Sequence, residues 1–249
     1  MPTSIIVPSR YPDIFNECRR RIDFFAAPQE KILVRDGLDI TDPRGWTTIQ
    51  APMPFVYSRN INLGINQTSG DVLLTNDDVR FVNKETVERL DYVMGCNPEI
   101  GILSPRIDGG IGNVDQARVR TSVLYTQMRL AFVCVLIRRA VIDQIGLLDE
   151  RFNAYGWDDV DYCRRAVNAG WKMAVTVDAT VRHGHGKQTY SSSYLREPRI
   201  YSARCMIAQN QYQQKWGDTK FSNFGGASEN SSSDLHVPSV PIHAARIQH

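Results

Sequence analysis

Cysteine is scarce in this sequence, and its few copies are not arranged for metal binding or for a disulfide framework. Five cysteines are spread over 249 residues, and none of them forms a Cys-x-x-Cys pair. An odd number of widely spaced cysteines is typical of reduced, mostly buried thiols. We therefore expect a cytoplasmic protein that has neither a structural zinc site nor disulfides.

Long apolar runs are also lacking. The longest one, Ala131–Ile137, is far shorter than the roughly 20 residues that a membrane-spanning helix requires. The first residues do not combine a charged stretch with an apolar core, which is the pattern of a signal peptide. We expect neither a transmembrane segment nor a signal peptide.

An excess of charge of one sign is lacking as well. Lysine and arginine total 29, aspartate and glutamate total 27, and the formal net charge is +2. Such a balance does not favour nucleic acid or an anionic membrane as a partner. The apolar fraction of 42% is that of a globular protein, and 249 residues suffice for one large α/β domain or two small ones.

Short apolar runs alternate with helical patterns in the first part of the chain. Each run is short and is bounded by turn residues, which is typical of strands buried on both faces of a parallel sheet. Strands are predicted at Ser4–Pro8, Lys31–Val34, 72–75 and Ile100–Ser104. Residues 37–54 are rich in proline and predict an irregular connection. The order predicts right-handed β-α-β units in an α/β fold, with a mostly parallel central sheet flanked by helices.

The alternation weakens in the second half of the chain. The predicted elements there are a strand at Leu130–Ile137, a helix at Arg139–Ile145, a helix at Asp158–Ala169, a strand at Met173–Val177 and a helix at about Ser202–Trp216. Beyond Gly225 small and polar residues dominate, and few large apolar side chains remain. We expect a single folded domain, residues 1–224, and a disordered tail, residues 225–249.

The strand at 72–75 ends in an acidic turn, Asn76-Asp77-Asp78. Open α/β sheets bind ligands at the carboxyl ends of their strands. Two adjacent carboxylates repel each other unless a cation neutralises them, and oxygen ligands from few residues suit Mg²⁺ or Mn²⁺ held jointly with a phosphate. Asparagine and aspartate are also common turn residues, and this stretch alone favours a simple polar turn.

A second acidic group, Asp158-Asp159 with Asp161, opens the helix predicted after Gly156-Trp157. Helix capping and the helix dipole explain three acids in a first turn. They do not explain the preceding tryptophan, which could stack on a sugar ring while a neighbouring carboxylate accepts a proton from an attacking hydroxyl. Apolar residues recur on one face of this helix, so we expect Asp158 and Asp161 to face solvent or substrate.

A basic segment with two histidines, Val181–Lys187, follows the last predicted strand. One imidazole added to one or two carboxylates would complete a Mn²⁺ shell. Arg182 and Lys187 would suit a diphosphate. A basic surface loop is an equally good interpretation of this segment taken alone.

The order of these pieces over residues 4–217 resembles the inverting, metal-dependent nucleotide-sugar glycosyltransferases of the GT-A fold, family 2 in particular. The acidic turn stands at the family's Asp-x-Asp position, in the Asn-x-Asp form of rhamnosyltransferase-like members. Gly156-Trp157 resembles the acceptor loop of the β-1,4-galactosyltransferases. Further matching segments are Asn62–Ile65, Ser69–Asp71, Gly146–Phe152, Asp158–Asp161 and Gln213–Gly217.

The resemblance implies a role for each matching residue. Donor-binding residues would be Pro8, Ser9, Asp36, Asn62 and Asp77, with Asp36 on the nucleotide base. Asp78 and His183 would ligate Mn²⁺ or Mg²⁺, with His185 as the second choice for the imidazole. Trp157 and Asp158 would bind the acceptor, and Asp159 would be the catalytic base.

Two expectations concern the acids of this helix. Asp158 is placed to cap the helix, and a helix N-terminus lowers the pKa of a carboxylate, so Asp159 should be ionised at neutral pH. Asp161 lies one turn further on and should pair with Arg164 or Arg165.

The implied activity is transfer of a sugar, of the hexosyltransferase type, from a nucleotide-diphosphate sugar to a glycan or another hydroxyl-bearing acceptor. Residues 1–106 would form the nucleotide-sugar half and residues 107–224 the acceptor half. A non-catalytic sugar-nucleotide-binding module on the same fold is an alternative, because Arg35 and Asn76 replace two acids of the family pattern. A metal-dependent nucleotidyltransferase is less favoured, since no glycine-rich phosphate loop follows the first strand.

Overall fold

The computed structural model of the protein describes residues 2–26, 29–36, 41–109, 113–184 and 198–218. The strands in these residues are β1 (Ser4–Ser9), β2 (Glu30–Arg35), β3 (Thr47–Gln50), β4 (Val72–Thr75), β5 (Val79–Phe81), β6 (Ile100–Asp108), β7 (Leu124–Thr126), β8 (Cys134–Ile137) and β9 (Lys172–His183). The helices are α1 (Pro12–Phe25), α2 (Tyr57–Ile65), α3 (Thr86–Cys96), α4 (Val114–Arg118), α5 (Arg139–Ile145), α6 (Asp158–Asn168) and α7 (Pro198–Trp216).

All of these strands belong to one sheet, with the order β3-β2-β1-β4-β8-β6-β9-β5 and with β7 also paired to β9. The pairings show that β1, β2, β3, β4, β6 and β9 run in one direction, whereas β5, β7 and β8 run in the opposite one. The predicted α/β fold with a mostly parallel sheet is therefore confirmed. The antiparallel strand β8 separates the two parallel parts of the sheet.

The central strands are buried on both faces, as their continuous apolar runs predicted. Ile5 and Val7 of β1 pack in one hydrophobic cluster with residues of α1 and α3. Ile6, between them, packs in a second cluster with residues of α2, α5 and α6. Burying a side chain of this size contributes about 1.5–3 kcal/mol, so both layers are needed to hold the sheet.

Helix α2 packs very close to β1, and a glycine makes this possible. A Cβ atom added at Gly64 would lie 2.6 Å from the Cγ2 atom of Ile6. Because real Cβ atoms do not approach other carbons so closely, any larger residue would push α2 away from the sheet. This packing fixes the position of Asn62, which lies on the same helix.

Three element predictions were wrong. The last strand, predicted at Met173–Val177, is β9 and continues to His183, so Val181–His183 belong to the strand and do not follow it. The connection 37–54 contains β3, an edge strand that pairs in parallel with β2, and its polar Thr-Thr-Ile-Gln sequence lacks the apolar run used to find the others. The apolar run Leu130–Ile137 is a strand only from Cys134 onward. Leu130 and Phe132 are instead buried against the second cluster, which an apolar run alone does not distinguish from a strand.

None of the helices in the described ranges is long and apolar enough to cross a membrane. The predicted tail, residues 225–249, lies outside the described residues, as do His185 and Lys187. The boundary between a nucleotide-sugar half and an acceptor half at residue 106 stays a prediction.

Candidate active site

The ends of β1 and β4 meet at the predicted donor site. The two strands are parallel neighbours, so their carboxyl ends lie side by side. The Oγ atom of Ser9 donates a hydrogen bond to Oδ2 of Asp77 at 2.6 Å. Burial raises the pKa of Asp77 to about 7, the Ser9 bond opposes the shift, and the charge of Asp78 adds to it. The Ser9 bond therefore ties the end of β1 to the turn that carries both acids.

Asp36 lies beside the same edge, one strand further along. Its backbone N–H donates to the carbonyl of Ser9 at 3.3 Å, which ties the end of β2 to the end of β1 next to Pro8. The Asp36 carboxylate is buried, and neither oxygen has a hydrogen-bond partner among the described residues. The nearest cation is Arg10, whose Nε atom is 3.5 Å from Oδ2. Burial raises the pKa of Asp36, and Arg10 and Arg59 oppose that shift.

Asp78 meets His183 across a strand pair that the sequence did not predict. Strand β5 pairs antiparallel with β9, and Val79 stands opposite His183 in the register. This brings Nε2 of His183 to 3.3 Å from Oδ1 of Asp78. The peptide N–H of Gly184 also donates to the Asp78 carbonyl at 3.0 Å. The predicted metal ligands are thus adjacent, although they lie far apart in sequence.

These two side chains fit a cation that is shared with a substrate. Metal-to-oxygen distances of about 2.1 Å place neighbouring octahedral ligands about 3 Å apart, close to the observed separation. In the part of the chain that the structure describes, no group of three or more histidine, cysteine or acidic residues could hold a metal ion. Mg²⁺ is commonly held by one or two protein ligands plus substrate phosphates, so two ligands suffice for that kind of site.

Asn62, the remaining residue predicted to contact the sugar donor, forms hydrogen bonds with other residues of the protein. Its Nδ2 atom donates to the Leu148 carbonyl and to Oε1 of Glu150, each at 2.9 Å, and its Oδ1 accepts from the Leu148 N–H at 3.0 Å. Asn62 is buried, so these bonds tie α2 to the connection between α5 and α6. Its role toward a donor stays a prediction.

Helix α6 begins without a side-chain cap. Trp157 is the N-cap residue, with φ of 69°, and Gly156 before it has φ of 73°. A non-glycine residue in the left-handed region costs on the order of 1–3 kcal/mol, so surrounding contacts must hold it. The expectation that Asp158 caps the helix was wrong, because Asp158 is the first residue inside it.

The acids of α6 differ in burial. Asp158 is 5% exposed and its Oδ2 atom has no partner among the described residues, whereas Asp159 is partly exposed and its Oδ1 accepts from the Val160 N–H at 2.8 Å. Burial, strengthened by the Asp159 charge, raises the pKa of Asp158 to about 8. Burial also raises the pKa of Asp159, with Arg129 opposing it. The expected lowering by the helix N-terminus was wrong, since burial outweighs the dipole.

The expectation that Asp161 faces solvent or substrate was also wrong, and Asp158 does not face solvent. The Asp161 side chain is fully buried and accepts from Nε of Arg165 at 2.9 Å, as the spacing predicted. It also accepts from Nε1 of Trp216 at 2.8 Å and lies 2.7 Å from Nζ of Lys215. Lys215 and Trp216 lie on α7, which covers this face of α6. The sequence pattern of α6 alone does not reveal α7.

The Trp157 ring rests on α7. Its centroid lies 4.9 Å from that of Tyr212, with 47° between the planes. Tyr212 is fully buried in a small cluster with Phe152 and Val160, and Trp157 is only partly buried there. Trp157 is therefore not fully enclosed by α7, and its role toward an acceptor stays a prediction.

Residues 132 and 133 join the two acidic groups. The Val133 carbonyl accepts from the Asn76 N–H at 2.9 Å, in the turn that carries Asp77 and Asp78. The N–H of the neighbouring Phe132 lies near Asp159 and lowers its pKa. The Phe132 carbonyl accepts a hydrogen bond from the Tyr57 hydroxyl at 3.0 Å. The sequence analysis missed Phe132, Tyr57 and Arg129 as parts of the site. No local signal marks them, since their contacts are distant in sequence.

The chain is similar to known glycosyltransferases in part of its sequence and in its fold. Residues 113–199 match the model of the family described as glycosyltransferase like family 2. A hexosyltransferase of low-salt glycan biosynthesis, Agl10 of Haloferax volcanii, is 27% identical over 165 residues, which are 55% of this chain and 52% of that protein. The chain spans 24% and 52% of the lengths of the first two curated relatives that it matches.

Two solved structures have a similar fold. The mannosyltransferase PcManGT of Pyrobaculum calidifontis, solved with GDP-Man and Mn²⁺, has a TM-score of 0.60 at 14% identity, over 86% of this chain and 64% of that one. S. aureus TarS has a TM-score of 0.57 at 16% identity, over 87% of this chain and 72% of that one. The chain therefore has the GT-A fold of these two structures, and residues 113–199 are similar to glycosyltransferase family 2.

Proposed function

We propose that this protein is a metal-dependent, inverting glycosyltransferase that moves a hexose from a nucleotide-diphosphate sugar to an acceptor hydroxyl. The observation that carries the proposal is the bridge at residues 132 and 133. The Val133 carbonyl accepts a hydrogen bond from Asn76, in the turn with Asp77 and Asp78, and the Phe132 N–H lies close enough to Asp159, at the helix start, to lower its pKa. A donor diphosphate and an attacking hydroxyl need such a pair of acidic groups on opposite sides of one sugar ring.

The donor would lie on the edge formed by β1, β2 and β4. Asp36 offers N–H groups of a base two carboxylate oxygens that have no hydrogen-bond partner among the described residues, and Arg10 beside it offers a cation. Pro8 and Ser9 would form the floor of this pocket, and Ser9 fixes the orientation of Asp77 toward the ribose or the sugar. The neighbouring acids disfavour an anion at this edge without a compensating cation.

Asp78 and His183 would hold Mn²⁺ or Mg²⁺ against the diphosphate. A divalent cation bound there would neutralise the charge that develops on the leaving diphosphate. Two findings support a cation: the 3.3 Å separation of the two side chains, and the Mn²⁺ that accompanies GDP-Man in the structurally similar mannosyltransferase. The hexose is supported by the hexosyltransferase Agl10.

Asp159 would be the base in a single displacement. The acceptor oxygen forms a bond to the anomeric carbon, and the bond from that carbon to the phosphate oxygen breaks with its electron pair. The hydroxyl proton passes to Asp159 as the new bond forms. Attack from the face opposite the leaving group inverts the anomeric configuration. Burial makes Asp159 a stronger base than an exposed aspartate, because its pKa is raised.

A non-catalytic sugar-nucleotide-binding module remains the second candidate. Arg35, which replaces an acid of the family pattern, donates to Oε1 of Gln50 at 3.1 Å and lies 3.0 Å from Asp42. Release of nucleoside diphosphate from a panel of donor sugars, with Mn²⁺, with Mg²⁺ and with EDTA, separates the candidates. Binding without release in every case would favour the binding module.

The metal assignment predicts the behaviour of Asp78→Ala. This change should abolish metal-stimulated release of nucleoside diphosphate and weaken Mn²⁺ binding in the presence of a nucleoside diphosphate, measured by electron paramagnetic resonance. Asp143→Ala, which removes an exposed acid of α5, is the matched control and should behave as wild type. Wild-type turnover of Asp78→Ala in Mn²⁺ would refute the assignment.

A further inference from the structure

The acceptor side of the proposed site depends on a contact between Trp157 and helix α7. The strained backbone of Trp157, with φ of 69°, needs an external support because α6 gives it no side-chain cap. Tyr212 is the ring that contacts Trp157, at a centroid distance of 4.9 Å. The direction of the indole is therefore set by a residue that lies far along the chain.

Tyr212 is itself held firmly. Its side chain is fully buried, and Nη1 of Arg164 donates to its hydroxyl at 3.1 Å. Arg164 is fixed in turn by an ion pair with Asp218 at 3.1 Å and lies over the Trp216 ring at 4.3 Å. A buried ring with a satisfied hydroxyl has one orientation, so it is a rigid support.

The other side of Trp157 is suited to a sugar. The residue is only partly buried, and its indole N–H makes no hydrogen bond to a described residue. An apolar ring face with a free donor at its edge matches the C–H face and the hydroxyls of a pyranose. Asp158 and Asp159 follow immediately, so a ring stacked there would have a hydroxyl close to the proposed base.

We propose that Tyr212 is a positioning residue that holds Trp157 as a stacking surface, and that the acceptor therefore presents a sugar ring. This inference rests on the proposed function and narrows its acceptor from any hydroxyl compound to a carbohydrate. Tyr212 lies outside the family-matched residues 113–199. It lies on helix α7, which covers one face of α6.

Two variants of Tyr212 and one control test the proposal in the full chain. Tyr212→Met keeps the apolar volume but removes the aromatic ring, whereas Tyr212→Phe keeps the ring and removes only the bond from Arg164. The control, Phe152→Leu, weakens the same cluster without touching the Trp157 ring. The probes are p-nitrophenyl hexosides as acceptors, with the sugar nucleotide that wild type uses in the release assay.

Tyr212→Met should raise the acceptor KM about five- to tenfold, the value of one aromatic contact. The kcat should change by less than about twofold, because the reacting groups are untouched. Tyr212→Phe should restore the wild-type KM, and Phe152→Leu should leave it unchanged. An unchanged KM in Tyr212→Met, or an equal rise in Phe152→Leu, would overturn the proposal.

A second measurement needs neither a donor nor a folded Tyr212→Met protein. Methyl hexosides should protect wild-type tryptophan fluorescence from acrylamide quenching and should give no protection in Trp157→Phe. Equal protection in both proteins, or none in either, would overturn the stacking surface. If wild type releases no nucleoside diphosphate from any donor, the proposed function fails, and this measurement still decides whether Trp157 binds a sugar.

Discussion

At the scale of single residues, burial decides the chemistry of the two adjacent acids. Asp158 is almost fully enclosed, and at neutral pH it holds a proton because its pKa is about 8. Asp159 is partly exposed and accepts a hydrogen bond from the Val160 N–H, and Arg129 and the nearby Phe132 N–H also favour its charged form. Of the pair, Asp159 is therefore the carboxylate available to accept a proton.

Asp159→Asn should reduce turnover by about 10²–10⁴-fold, the usual cost of removing a positioned base. Affinity for nucleoside diphosphate should stay close to wild type, measured by calorimetry. Asp158→Asn reproduces the uncharged state of a buried carboxyl and should lose much less turnover. If instead Asp158→Asn is the inactive variant and Asp159→Asn transfers sugar normally, the base is Asp158.

Asp36 shows a different effect of a single residue, because its buried carboxylate lowers the stability of the folded protein but is placed to bind a ligand. Its buried carboxylate lacks hydrogen-bond partners among the described residues, and its pKa is raised by burial. A raised pKa means that the ionised form destabilises the folded protein above the ordinary pKa of the group. A ligand that donates to both oxygens would remove this destabilisation.

Asp36→Ala should accordingly weaken nucleoside diphosphate binding while the melting temperature stays the same or rises. Calorimetry measures the affinity, and a thermal melt without nucleotide measures the stability. Asp42→Ala, an exposed acid near the same edge, is the control and should change neither quantity. Unchanged affinity in Asp36→Ala would count against its contact with the base.

At the scale of elements, helix α7 stabilises the start of α6 and the connection before it, on the acceptor side of the proposed site. Nζ of Lys215 lies 2.7 Å from Asp149 and from Asp161, and so joins the α5–α6 connection to α6. Arg165 adds bonds to the carbonyls of Ile145 and Leu147, which close the same connection. The start of α6, where the proposed base lies, is thereby held from both sides.

Asp161→Asn should lower the free energy of unfolding by about 3 kcal/mol, the low end for breaking a buried ion pair, because the amide oxygen still accepts one bond. Donor affinity should not change. Chemical denaturation measures the loss, and Asp143→Asn, an exposed acid on α5, serves as control. A loss no larger than that of the control would show that α7 is not fastened through Asp161.

The ion pair at Asp149 determines in which direction the stability of the folded protein changes with pH. Burial alone raises the pKa of Asp149, but hydrogen bonds from Arg151 and Lys215 outweigh it, and the net pKa lies well below the usual range. A lowered pKa contributes stability above the ordinary value of about 4, and that contribution disappears as the pH falls through the folded-state pKa.

Wild type should therefore be more stable than Asp149→Asn at neutral pH, and the difference should shrink as the pH falls below about 4. Urea denaturation at several pH values measures both proteins. A difference that stays constant down to the lowest pH would show that the carboxylate charge of Asp149 is not what stabilises the folded protein.

At the scale of the whole molecule, the sheet gathers acids that are distant in sequence. Strand β8 runs antiparallel between β4 and β6, and the residues before it lie between the donor turn and α6. Two solved structures share this fold at 14–16% sequence identity, so the fold itself tolerates wide changes of sequence.

The sequence by itself determined the elements whose signals are local. Continuous apolar runs predicted β1, β2 and β4, and the change from apolar to acidic at Asn76 marked the end of a strand. Helices α5 and α6 followed from their periodicity, and the i, i+4 spacing predicted the pair of Asp161 with Arg165. These features depend on neighbours a few residues away, which a linear pattern contains.

Only the tertiary structure decided what each acid experiences. The sequence suggested a lowered pKa for Asp159 at a helix N-terminus and an exposed Asp161, but packing against α7 buries Asp161, and burial raises the pKa of Asp159. The sequence did not reveal edge strand β3 or the pairing of β5 with β9, because short or polar strands form only against a partner strand. Burial, and with it the pKa of a carboxyl group, is set by residues distant in the chain, so no local pattern carries it.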